Sequence, residues 1–233
     1  MLLLESIVIA TRFRGPAASG NGGYTCGRVA AFVDADTVEV TLRLPPPLET
    51  PLRVERNGGV RVFDGDRLVA EAKPSQLALE PPPAPSFAEA AALAAAHPVD
   101  PDHPFPGCFT CGPSGEGLRL NPTPVGDGRV VAPWRPDESL AELVWAALDC
   151  PGAFAVDPGF SRGISVLGRL TARIDEVPEP GDECVVVAWP IGGQGRKLLA
   201  GTALYREENL LGMALATWIT VGDELRDAVP SAP

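Results

Sequence analysis

Positive charge is what this sequence is short of. Nineteen lysines and arginines stand against 30 acids, for a net charge of −11, and a chain of that sign repels nucleic-acid phosphates. Nucleic acid is excluded as a partner, and any anionic substrate would need a local basic patch. Long uncharged apolar runs are also lacking, so no segment is expected to span a membrane. The start, MLLLESIVIATRF, has no basic residue ahead of its apolar ones, and Glu5 interrupts them. It does not read as a signal peptide, and the expectation is a soluble, cytoplasmic protein. Cysteine is scarce and odd in number, at five, which suggests no disulfide framework. Histidine is scarcer still, at two.

One Cys-x-x-Cys pair is present, Cys108 and Cys111, in the segment HPFPGCFTCGP beside His103. A structural zinc site is most secure with two such pairs, and the second is missing. A redox pair usually opens a helix after a strand, which this proline-rich segment does not resemble. The segment reads first as a compact turn of small residues, with zinc as the alternative. No metal or cofactor is otherwise called for.

What the chain does have is 233 residues, 45% of them apolar, enough for one large domain or two small ones. The most informative stretch is Ala141 to Val156, AELVWAALDCPGAFAV. It is apolar on every side, so as a helix it should be buried rather than lie on a surface. Asp149 is the one acid in it after Glu142. A buried carboxylate must be hydrogen-bonded, sit at a helix break, or work. Pro151 favours a break there, because proline disfavours helical geometry in the residue before it.

Ahead of that stretch, Glu5 to Phe13 reads as a strand. Gly20, Gly22, Gly23 and Gly27 then lead into the apolar run Val29 to Val33. A helix that keeps such glycines needs close approach of something, either a packed element or a ligand. Val38, Val40, Leu42 and Leu44 alternate with polar residues as in a half-buried strand. Leu52–Arg56, Val60–Phe63 and Leu68–Ala72 follow, separated by Asn57-Gly58-Gly59 and Asp64-Gly65-Asp66, both hairpin signals. Prolines crowd the stretch from Lys73 to Pro106 and mark a linker, in which Ser86 can cap a short helix, Phe87 to Ala96. Leu118–Leu120 and Arg129–Trp134 flank Gly126-Asp127-Gly128 as a strand pair. After the apolar helix come Gly163–Ile174, Glu183–Pro190, Lys197–Tyr205 and Leu210–Val221, all strand-like.

The second half thus repeats the first: strand, buried helix, antiparallel meander. That predicts an α+β double hotdog, two antiparallel sheets each wrapped around a central helix. The expected domains are 1–73, a linker at 74–112 carrying the cysteine turn, 113–225, and a tail at 226–233. Two places carry a family resemblance. Gly22-Gly23-Tyr24-Thr25-Cys26-Gly27-Arg28, followed by Ala30-Ala31, is similar to the first-helix pattern of the acyl-coenzyme A thioesterase II (TesB-like) family. GTALYREENLLGMALATW, Gly201 to Trp218, resembles that family's closing hairpin.

The resemblance implies an acyl-CoA or similar thioester as substrate, hydrolysed by a water that an Asp, a Thr and a Gln position. The Asp corresponds to Asp149. The Gln falls near Thr217, a shorter hydroxyl, and the Thr near Gly168, which has no side chain to offer. Backbone donors at Asn21, Gly22, Gly23 and Tyr24 would polarise the carbonyl, and Arg196 with Lys197 would meet coenzyme phosphates or else be a solvated hairpin. A non-catalytic double hotdog binding an acyl or other apolar ligand is the alternative, and a zinc-stabilised assembly protein a third. Exposed sheet edges suit a homodimer.

Overall fold

Alternating apolar residues punctuated by tight turns make most of this chain β-structure. The computed structural model describes residues 5–99, 103–114 and 116–221, so the tail expected at 226–233 lies outside the described residues. Among the described residues eleven strands are formed: β1 (Ser6–Ile7), β2 (Thr37–Leu42), β3 (Leu52–Arg56), β4 (Val60–Asp64), β5 (Arg67–Pro74), β6 (Thr123–Gly126), β7 (Arg129–Trp134), β8 (Ser165–Ile174), β9 (Cys184–Gln194), β10 (Lys197–Arg206) and β11 (Asn209–Thr220). They share one sheet in the order β1-β3-β4-β5-β2-β8-β11-β10-β9-β7-β6. The two sheets expected from the sequence are therefore hydrogen-bonded into one. At the joint β2 runs antiparallel to β8, from Thr37 opposite Arg173 to Thr41 opposite Arg169. That pairing covers an edge that each half would otherwise leave open.

Among the described residues four α-helices accompany the sheet: α1 (Gly22–Ala30), α2 (Phe87–Ala96), α3 (Ala141–Ala147) and α4 (Cys150–Val156). The glycines of α1 serve the approach of another helix. A Cβ on Gly23 would sit 2.5 Å from the Trp145 carbonyl oxygen, and one on Gly27 would sit 2.7 Å from Glu142 Cα. Rising numbers on α1 meet falling numbers on α3, so the two helices pass antiparallel in backbone contact. Val29, Leu143, Val144 and Leu148 from these helices share one core with Val40, Leu170 and Ala216 from the strands.

The linker does not hang free. Ser86 and Glu89 cap α2 reciprocally, a signature worth about 1 kcal/mol. Ala90 of α2 packs with Val131, Val187 and Met213 in a second cluster, and the Tyr205 hydroxyl donates to the Pro82 carbonyl at 3.0 Å. The linker thus covers part of the second half.

Two expected strands are placed differently. Of Glu5–Phe13 only Ser6–Ile7 pairs, and Thr11–Phe13 coils into a 3-10 turn. The Glu49 carboxylate accepts from both the backbone N–H and the hydroxyl of Thr11, which pulls the chain out of extension. Leu118–Leu120 is not a strand: Arg119 has φ 51°, and the N–H groups of Leu118 and Leu120 donate to Phe109 and Thr110 of the cysteine turn. The partner of β7 is β6, a few residues later.

Candidate active site

The apolar helix breaks once, at its acid. α3 ends with Leu148 as its C-cap, α4 starts at Cys150, and Asp149 between them has φ −86° and ψ −87°. Pro151 fits the first turn of α4, where its missing N–H costs nothing. The sequence expectation of a break beside Pro151 is met just upstream of it. Breaking the helix releases carbonyls that need donors. Thr202 Oγ1 donates to the Leu148 carbonyl at 2.7 Å, and Thr110 Oγ1 to the Ala146 carbonyl at 3.1 Å.

Asp149 is 2% exposed. Its Oδ2 accepts from the Gly23 N–H at 2.8 Å, in the first turn of α1, where the helix dipole favours negative charge. Its Oδ1 has no hydrogen-bond partner among the described residues. Burial raises the pKa to about 7, and the Gly23 N–H and the neighbouring Asn21 side chain oppose that rise without cancelling it. The carboxyl is thus anchored through Oδ2 and buried at Oδ1.

Asp149 belongs to the wall of a cavity of about 390 Å³, within the range of small-molecule sites. Both halves and the cysteine turn build its wall, which includes Asn21, Gly22, Leu44, Phe105, Leu167 and Trp218. The wall is mostly apolar. Trp218 Nε1 is a second buried polar atom without a partner among the described residues. It lies against α4, where a Cβ on Gly152 would fall 3.0 Å from it.

Of the other residues singled out by sequence, Asn21, Gly22 and Gly168 line this cavity with Asp149. Asn21 also caps α1, its Oδ1 accepting from the Tyr24 N–H at 2.8 Å. The Gly23 N–H is committed to Asp149, so it does not point at a substrate carbonyl as expected. Tyr24 is a packing residue, stacked on Phe13 with ring centroids 3.7 Å apart. Thr217 is not part of the cavity wall. Ala216 and Trp218 face the core on either side of it. Gly168 is the extra residue of a bulge on β8, because Arg169 pairs with Thr217 while Leu167 pairs with Trp218. Arg196 and Lys197 are exposed at the β9–β10 hairpin; Lys197 pairs across the sheet with Ile219, which does line the cavity. Sequence reasoning missed Trp218, Cys150 and Arg43, all on the cavity wall; the Arg43 guanidinium is paired with Glu71.

With this geometry, the architecture defines the class: a hot dog fold, shared by solved structures that superpose over nearly the whole chain. A Mycobacterium marinum acyl-CoA thioesterase II, TesB2, superposes at TM-score 0.56 with 13% identity, covering 94% of this chain and 95% of its own. The tesB protein of Mycobacterium avium subspecies paratuberculosis gives 0.56 and 16%, covering 87% and 88%. A hot dog protein of unknown function from Alicyclobacillus acidocaldarius gives 0.62 and 13%, covering 93% and 92%. Identities this low carry the fold and nothing further. No family model matches the sequence, and no curated protein matches it. Among the described residues no helix is long and apolar enough to cross a membrane.

Proposed function

We propose that this chain is a double hot dog protein that hydrolyses an acyl-CoA or similar acyl thioester, with Asp149 as the group that activates water. The observation that supports it best is the Asp149 carboxyl, anchored through Oδ2 by Gly23 and unpartnered at Oδ1 on an apolar cavity. A water held by Oδ1 loses its proton to the carboxylate as its oxygen attacks the thioester carbonyl carbon. The proton then leaves with the thiolate of coenzyme A. General-base help of this kind contributes about 10²–10⁴-fold.

The apolar wall takes the acyl chain. In this reading the first-turn backbone of α1 at Gly22 faces the reacting carbonyl. Phosphates of the coenzyme would meet Arg43 at the cavity wall and Arg196 with Lys197 on the neighbouring hairpin. A homodimer would form through the short end strands β1 or β6.

A second reading keeps the cavity without the chemistry: a protein that binds an acyl or other apolar ligand. It is favoured by Gly168, which brings no side chain to the wall, and by Thr217, which is absent from it. Hydrolysis of an acyl-CoA series followed by release of free thiol separates the two. Turnover that depends on Asp149 supports the enzyme, and saturable binding without turnover supports the carrier.

A further inference from the structure

Three thiols distant in sequence meet beside the cavity. Cys108, Cys111 and Cys150 are all buried, with their Sγ atoms within 4.8 Å of one another. Cys108 Sγ and Cys150 Sγ are 3.7 Å apart. A disulfide needs about 2.05 Å, whereas sulfurs on a tetrahedral zinc with bonds of about 2.3 Å stand about 3.8 Å apart.

The surroundings suit thiolates rather than inert packing. The Gly112 N–H donates to the Cys108 carbonyl at 2.8 Å, and a Cβ on Gly112 would fall 2.4 Å from Cys108 N. Only glycine closes the turn this tightly, with Cys108 and Cys111 side by side. Asn21 Nδ2 donates to Cys108 Sγ at 3.7 Å and to Cys150 Sγ at 3.9 Å. Because Asn21 Oδ1 is fixed by Tyr24, that amide presents its N–H groups to two sulfurs at once. Outer donors of this sort stabilise the charge of a thiolate–metal centre. Phe105 and Phe154 pack against the three sulfurs.

We propose that Cys108, Cys111 and Cys150 bind a zinc ion as three thiolates, with the fourth position filled from the cavity side. Cys108 and Cys150 both line the cavity. On binding, three Zn–S bonds form and the thiol protons pass to solvent, with no change of oxidation state. The ion ties the linker turn to the start of α4, one residue beyond Asp149, and so fixes the helix break that carries the carboxyl. The proposal stands whether or not the chain hydrolyses thioesters.

The test is metal analysis of the full chain, purified with reductant and without chelator after expression in zinc-supplemented medium. About one zinc per chain is expected, as for structural sites, lost in Cys111→Ser and in Cys150→Ser but kept in Cys184→Ala, whose thiol lies on β9 away from the cluster. Cobalt loaded into the wild type should show thiolate-to-metal charge transfer in the near ultraviolet. If the serine variants do not fold, the wild type still decides: returning zinc about a hundredfold above Kd to stripped protein should raise Tm by about 5–10 °C. Absence of both retained zinc and cobalt charge transfer would overturn the proposal. So would zinc retained equally in all three variants, or a disulfide between any two of the three cysteines under the same reducing conditions.

Discussion

Replacing Gly23 by alanine tests the coupling between the two central helices and the carboxyl. The new Cβ would meet Asp149 Cβ and the Trp145 carbonyl oxygen at 2.5 Å each, against ordinary contact from 3.4 Å. Neither neighbour is the free end of a flexible chain, so α1 and α3 must separate by about 0.9 Å at this point. Overpacking of this kind costs about 1–3 kcal/mol. The same displacement lengthens the 2.8 Å bond from the Gly23 N–H to Asp149 beyond useful range, and a hydrogen bond to a charged group is worth about 1.5–3 kcal/mol. Alanine returns about 1 kcal/mol of helix propensity. The net loss is about 2–5 kcal/mol, a fall in Tm of about 4–20 °C for a chain of this size.

Urea denaturation should place Gly23→Ala about 2–5 kcal/mol below the wild type in stability. Acyl-ester hydrolysis should fall at least tenfold in Gly23→Ala as the carboxyl loses its anchor. A Gly23→Ala protein as stable and as active as the wild type would refute the reasoning.

Other outcomes follow from the same geometry. Thr202→Val leaves the buried Leu148 carbonyl without its donor, so stability should fall by about 1–3 kcal/mol in chemical denaturation. Trp218→Phe trims a buried bicyclic side chain of the cavity wall to a single ring; KM for acyl esters should rise, and Tm should fall by the cost of the void left behind. Ser86→Ala removes the capping box of α2 and should cost about 1 kcal/mol with turnover untouched, because α2 lies on the other side of the sheet from the cavity's core.

Much of this fold was legible in the sequence because its signals are local. The period-2 runs became β2 to β5, and Asn57-Gly58-Gly59 and Asp64-Gly65-Asp66 became the turns between β3, β4 and β5. Asp149 stood out as one acid in an apolar helix, and Pro151 announced the break beside it. What stayed hidden depends on tertiary neighbours. Gly23 and Gly27 said that something comes close, and only the fold identifies it as α3. The correspondence drawn from the family resemblance put a site residue at Thr217, whereas the cavity wall on β11 is made by the next two residues, Trp218 and Ile219, beside the bulge at Gly168. Cys150 carried no motif of its own; it lies 42 residues from Cys108, and the two meet because the linker turn folds onto the helix break.

The central claim is that Asp149 activates water on a thioester held in the apolar cavity. It is tested most directly by acyl-CoA hydrolysis across chain lengths, wild type against Asp149→Asn, with far-UV circular dichroism as the check on folding. The account predicts turnover by the wild type and a loss of at least about a hundredfold in a folded variant. Equal turnover by the two proteins would contradict it.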